Sequence, residues 1–189
     1  MKLLKLALLF FLSTLLVKCA SSATIKGMTV TDYKSKVQVG DKIFIKSVTG
    51  GKETNPFWKS NISNKNFEEA FKKSVVSSNV FSKISTATDD DWTLEIKLIS
   101  VDQPSLGFTF TVKTTIDYKL YYKDKLAFSK SIMQPGVATF SNAFVGAKRL
   151  RLANEVSAKN NIKSLLEALN EITLDSADLH IVPTKLNNY

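Results

Sequence analysis

The stretch Phe108-Thr109-Phe110-Thr111-Val112-Lys113-Thr114-Thr115-Ile116-Asp117-Tyr118-Lys119-Leu120-Tyr121-Tyr122 decides the fold. Every second residue from Phe108 to Tyr122 is apolar or aromatic, Thr114 excepted, and the residues between are mostly Thr, Lys and Asp. That period of two puts one face of a strand against a core and the other in water. At about 3.3 Å per residue the strand would reach about 50 Å unless a bulge bends it. Its neighbours in sequence repeat the pattern. Leu94, Ile96 and Leu98 alternate with Thr93, Glu95 and Lys97, and the run from Gln103 to Gly107 supplies a turn. After Lys123-Asp124-Lys125 turns the chain, Leu126, Phe128 and Ile132 continue as a third strand, expected to stop at Pro135-Gly136. Antiparallel hairpins tolerate one wet face, whereas parallel sheets need both covered, so the pattern predicts an antiparallel meander with helices on one side.

Upstream, Lys42 to Val48 is a short β-rich run ended by Gly50-Gly51. The loop through Asn55-Pro56-Phe57-Trp58 follows, with Phe57 and Trp58 expected to pin it to the core; it lacks P-loop spacing, since Glu53 follows Lys52. Phe67, Ala70, Phe71 and Val75 then recur at helical period, which predicts a helix capped by Asn64 and stopped near Ser77-Ser78-Asn79. Asp89-Asp90-Asp91 lacks calcium-loop spacing and reads as a solvated loop. From about Asn142 to Leu174 the period is helical again, but with two stripes. Leu152, Ala153 and Val156 point one way; Ala158, Ile162, Leu165, Leu169 and Ile172 point another. One straight helix cannot bury both against one sheet face, so either it breaks near Asn160-Asn161 or its first half packs elsewhere. The expected fold is therefore two-layer α+β: a three- to four-stranded antiparallel meander with two helices on one face, in the order β-α-β-β-β-α. The domain should run from 42 to 174, with a tail over 175–189. His180 sits in that tail with no second ligand near it in sequence.

The chain begins differently. Lys2 and Lys5 precede an apolar run from Leu6 to Val17, the layout of an export signal covering residues 1–18. Twelve residues rise only about 18 Å as a helix, too little to span a bilayer. The run leads into Leu16-Val17-Lys18-Cys19, where Cys19, the one cysteine of 189 residues, stands where a lipoprotein signal places its acylated residue. Lys18 departs from the small residue usual there. The competing reading is ordinary signal cleavage after Ser22 or Ala23. On the lipoprotein reading, residues 19–41 are anchor and tether. A single Cys excludes an internal disulfide, and one His with one Cys leaves too few ligands for a structural zinc site, so neither metal nor cofactor is expected. Losing Lys2, Lys5 and Lys18 would lower the formal charge from +9 to +6. A basic surface suits anionic lipid or an acidic protein, and export disfavours nucleic acid; ordinary solvated lysines would produce the same charge.

Gly50-Gly51 with Thr54-Asn55-Pro56 and Trp58, the F-x-x-A-F-x-x-S run from Phe67 to Ser74, Asp102-Gln103-Pro104, and Arg149 to Glu155 (RLRLANE) resemble uncharacterised proteobacterial envelope lipoproteins. By order of elements the chain also resembles lipopolysaccharide-assembly lipoproteins and the auxiliary lipoproteins of lipid-moving ABC transporters. What the resemblance implies is an envelope lipoprotein held by acyl chains such as palmitate, with no catalytic residue to carry over; Ala20 rather than Asp after Cys19 is similar to lipoproteins sorted to the outer membrane, facing the periplasm. The leading expectation is a non-catalytic accessory that docks on an envelope transport or assembly complex or binds anionic lipid. Its candidate partner surface is Lys113 and Lys119, with Thr111, on the wet sheet face, and Lys148, Arg149 and Arg151 at the start of the last helix. The alternatives are a secreted or periplasmic inhibitor or adhesin, and a cell-wall or lipid hydrolase. For the hydrolase the chain offers no G-x-S-x-G, no H-E-x-x-H and no second His.

Overall fold

The central strand starts two residues later than its alternation suggests. In a computed structural model of the chain, which describes residues 20–55, 59–88 and 90–171, Gly107 adopts φ +145 and the ladder begins at Phe110, leaving Phe108 exposed. From there β4 (Phe110–Tyr122) alternates without a slip: Val112, Thr114, Ile116, Tyr118 and Leu120 have no exposure. It pairs antiparallel with β3 (Trp92–Asp102) on one side and β5 (Lys125–Ala138) on the other. Each partner carries an extra residue. The β3 register passes from Leu98 to Ser100, skipping Ile99, and the β5 register skips Ala127. A bulge reverses which parity faces inward, so the inward residue of β3 beyond it is Val101, although Leu98 was inward before it.

The expected meander holds for β3-β4-β5 but not for the whole sheet. The sheet has five strands in the order β2-β1-β3-β4-β5, and β1 (Gly40–Ile45) runs parallel to both neighbours. A parallel neighbour requires a crossover, and helix α2 (Asn64–Ser78) provides it between β1 and β2 (Phe81–Ser85). The sequence Phe-Ser-Lys-Ile-Ser of β2 is too short and too polar to declare itself by alternation. Strand β5 also continues through Pro135-Gly136, where the sequence predicted an end. It lies at the sheet edge, where a proline's missing donor is tolerated.

The cap of α2 is Ser63, not Asn64. Ser63 Oγ accepts from the Asn66 backbone N–H at 3.3 Å, while Asn64 Oδ1 accepts from Gly51 N–H at 2.7 Å and fixes the Gly-Gly loop. Asn79 closes the helix in the left-handed region at φ 62, as expected. Phe67, Ala70, Phe71 and Val75 face the core, where Phe71 stacks on Tyr118 with ring centroids 6.2 Å apart.

The last helix, α3 (Gly146–Leu169), is unbroken, and its inner face solves the two-stripe problem. Asn154, Ser157 and Asn161 complete the helical spacing between Leu150 and Leu165, and all three are fully buried. The helix thus presents one stripe whose middle is polar. Ser157 Oγ accepts from Thr114 N–H and donates to Gln134 O at 2.7 Å; Asn161 Nδ2 donates to Ile132 O at 2.8 Å, and Asn161 Oδ1 accepts from Tyr118 Oη–H at 2.9 Å. Every partner lies on β4 or β5. Gly136 lets the helix come this close, since a Cβ there would lie 2.1 Å from Ser157 N. The seam divides the core. On one side lies the main cluster containing Phe67, Phe71, Tyr118, Leu120, Ile162 and Leu165; on the other is a small cluster of Phe110, Val112, Ala138, Leu150 and Ala153.

Residues 20–39, expected as a tether, are packed against the body. The short helix α1 (Ile25–Met28) lies against α2 and α3, and Ala23, Met28 and Val30 have no exposure. Tyr33 Oη reaches Leu166 O, and Asp32 pairs with Lys159 at 3.1 Å and Lys163 at 3.7 Å. Cys19, the signal segment, Phe57, Trp58, Asp89, Ile172 and the tail with His180 lie outside the described residues.

Candidate functional site

The five basic residues singled out from the sequence do not form one surface. Lys113 and Lys119 lie on the outer face of β4, six residues apart, so about 20 Å separates them. Opposite Lys113 stand Asp102 and Pro135; opposite Lys119 stand Glu95 and Ser129. Glu95 is held by Lys46 at 2.6 Å and by the Tyr121 hydroxyl at 3.2 Å. The Lys46 ammonium holds the Glu95 carboxyl below its usual range, so it stays ionised. Asp117 faces Lys97 in the same register. Lys46, Glu95, Lys97, Asp117 and Lys119 line a groove of about 380 Å³ in which each acid has a basic neighbour, whereas Lys113 lies outside it. That arrangement makes the sheet face charge-balanced.

The start of α3 is organised differently. Lys148 is exposed, but Arg149 is only 5% exposed and so is not a surface cation. Its guanidinium donates to Ala143 O at 2.9 Å, Phe144 O at 3.3 Å and Gly107 O at 2.9 Å. It is sandwiched between the rings of Phe110, at 4.7 Å, and Phe140, at 5.5 Å. One cation therefore holds the β3–β4 turn to the loop between β5 and α3. Arg151, half-buried, donates to Ser21 Oγ at 3.0 Å and lies 3.5 Å from Glu155 Oε1, within ion-pair range but not aligned as a hydrogen bond.

Glu155 anchors the N-terminal segment. Its Oε1 accepts from the backbone N–H and the hydroxyl of Thr24, both at 2.9 Å. Ser60, fully buried, donates to Ser21 O at 2.6 Å; Ala23 N–H donates to Asn61 O, and Asn66 Nδ2 to Ala23 O at 2.9 Å. Gln103 and Asn154 both donate to Ser60 O, which ties this junction to the end of β3 and to α3. The acid of RLRLANE thus docks the first described residues directly and its amide does so through Ser60, roles that helical spacing alone does not reveal because the partners are 131 and 94 residues away. Beside the junction opens a cleft of about 850 Å³, with Lys52, Lys59, Asn61, Asp102 and Gln103 in its walls. Among the described residues no group of three or more His, Cys, Asp or Glu could hold a metal ion, and no helix is long and apolar enough to cross a membrane.

The same end of the molecule carries an apolar tip that the alternation pattern hid. Phe108, expected in the core, is 80% exposed, and Phe144 and Leu106 are 78% and 90% exposed. Phe140 joins them, its ring 6.2 Å from Phe108 and 4.8 Å from Phe144, each pair edge to face.

No known protein family matches the chain, and no curated protein does. Solved structures do resemble it. A protein of family DUF330 from Xanthomonas campestris gives a TM-score of 0.55 at 10% identity, covering 77% of this chain and 90% of its own. A protein from Chlamydia trachomatis gives 0.46 at 5% identity, covering 69% and 93%; a minor lipoprotein from Acinetobacter baumannii gives 0.46 at 7%, covering 69% and 92%. The first of these is a likeness of fold: the chain is a two-layer α+β domain with helices on one face of a five-stranded sheet, an arrangement it shares with the Xanthomonas protein. Fold of itself assigns no activity.

Proposed function

We propose that the chain is a non-catalytic cell-envelope lipoprotein, attached through Cys19 to the outer membrane with its body in the periplasm. It would act as an accessory module that docks on an envelope transport or assembly complex or binds an anionic lipid. The observation that carries this reading is where the packed body starts. Ala20 is already buried, and Ser21, Ala23 and Thr24 are bonded into the junction with Ser60, Asn61 and Glu155. Processing at Cys19 keeps all of these. Cleavage after Ala23 would discard a fully buried residue together with its two backbone bonds and leave the buried Ser60 hydroxyl without its acceptor, and an unsatisfied buried group costs about 1–3 kcal/mol. The packing of these residues supports processing at Cys19 over cleavage after Ala23.

Affinity capture of the tagged full chain from membranes, with Cys19→Ser in parallel, tests the reading. The expected result is an acyl-labelled wild type that brings down a discrete envelope complex, and a Cys19→Ser chain that takes no acyl label. Absence of label on the wild type, with membrane fractionation unaltered by Cys19→Ser, would sink the anchor; capture of no complex and no anionic lipid would sink the accessory role.

A further inference from the structure

We infer that the aromatic tip formed by Leu106, Phe108, Phe140 and Phe144 around buried Arg149 is a second membrane contact, which seats the body directly on an anionic phospholipid surface. The inference rests on the reading that the chain is held at a membrane just before residue 20, and it adds how the body is oriented there.

Location is the first argument. Gln103, three residues before Leu106 at the end of β3, donates to Ser60 O, and Ser60 in turn donates to Ser21 O, while Arg149 at the start of α3 holds the tip. The exit of the chain toward Cys19 and the aromatic tip therefore share one end of the molecule. No slack separates them from the membrane, because residues 20–24 are packed. A body attached by residue 19 must bring this end to the bilayer.

Chemistry is the second argument. Three phenylalanines and a leucine, each mostly or substantially exposed, gather at one tip, where Phe108, Phe140 and Phe144 touch ring to ring, and contiguous exposed apolar groups mark an interaction site. Aromatic rings beside a cation suit the headgroup boundary, where the ring enters the acyl region and the cation meets phosphate. Arg149 is buried and sets the shape of the tip through its carbonyl and ring partners. The cation that meets phosphate is its exposed neighbour Lys148.

A depth measurement tests the inference. In the full chain carrying Cys19→Ser, a single thiol is introduced at exposed Ser141, within the tip, or at Lys123, in the β4–β5 turn about 40 Å along β4. Each is labelled with a nitrobenzoxadiazole fluorophore and reconstituted into phosphatidylethanolamine–phosphatidylglycerol vesicles, where the apolar segment 6–17 provides attachment whether or not Cys19 is ever acylated. The expected result is at least threefold weaker iodide quenching at position 141 than at 123. Adding Phe108→Ser and Phe144→Ser should raise quenching at 141 to the level at 123. Equal quenching at both positions, or a chain that does not float with the vesicles, overturns the inference. Protection at 141 that appears only in native membranes, and not on vesicles, overturns it in favour of a protein partner. The anchor reading fails separately, by the absence of acyl label on wild-type Cys19.

Discussion

The two halves of α3 rest on the same sheet yet do opposite things. The half after Asn161 packs Ile162, Leu165 and Leu169 into the main core, beside Phe67, Phe71 and Tyr118. The half before Ser157 gives only Leu150 and Ala153 to a cluster of five residues, and spends Arg149, Arg151, Asn154 and Glu155 on holding loops and the N-terminal segment. One end is built for stability. The other is an assembly of loops fastened by polar side chains, with its aromatic residues turned outward, and it is the end from which the chain leaves toward Cys19. Between them the seam of Thr114, Ser157, Asn161 and Tyr118 fixes how the helix lies on β4 and β5.

Substitutions should divide along that line. Phe71→Ala, at the large end, removes a fully buried ring that stacks on Tyr118 and should cost about 3–5 kcal/mol in denaturant unfolding. Asn161→Leu, in the seam, strips partners from the Tyr118 hydroxyl and the Ile132 carbonyl and should cost about 2–6 kcal/mol, counting about 1–3 kcal/mol for each orphaned group. A near-neutral Asn161→Leu would mean that the seam is replaceable by apolar packing and that the division of the core is incidental. Phe144→Ser, at the tip, should change stability by less than about 0.5 kcal/mol, because its ring is largely in water already. A loss comparable to that of Phe71→Ala would show the tip to be core and end the distinction.

The difference between the ends also explains what was legible in the sequence. The meander, the face of α2 and its Asn79 stop follow from local period and local backbone preference, and these describe the large end. The parallel placement of β1 did not follow, because the parallel partner β2 has only five residues and no alternation. Ser157 and Asn161 broke the apolar stripe of α3 in the sequence; only the strand carbonyls opposite them reveal that the stripe continues in polar form. Phe108 kept the parity of a core residue but falls before the ladder, where Gly107 turns the chain outward. Arg149 looked like a surface cation because composition carries no information on burial. The residues that docked the supposed tether, Ser60, Asn61 and Glu155, are polar and distant in sequence from the segment they hold, so no period could announce them.

The ionised sheet face supplies a smaller test. Glu95 is held below its usual pKa by Lys46, so it favours the folded state above the ordinary glutamate range, and that contribution is lost as pH falls through the lowered value. Glu95→Gln should remove this part of the acid sensitivity and leave neutral-pH vesicle attachment unaltered.

The central claim is that the packed body begins at the anchor itself. Mass analysis of the N-terminal peptide of the mature protein, isolated from the envelope in which it is made, tests this most directly. The account predicts a chain that starts at Cys19, carries acyl chains on that residue and retains Ala20, Ser21, Ser22 and Ala23. An unmodified mature chain starting at Ala23 or Thr24 would contradict it.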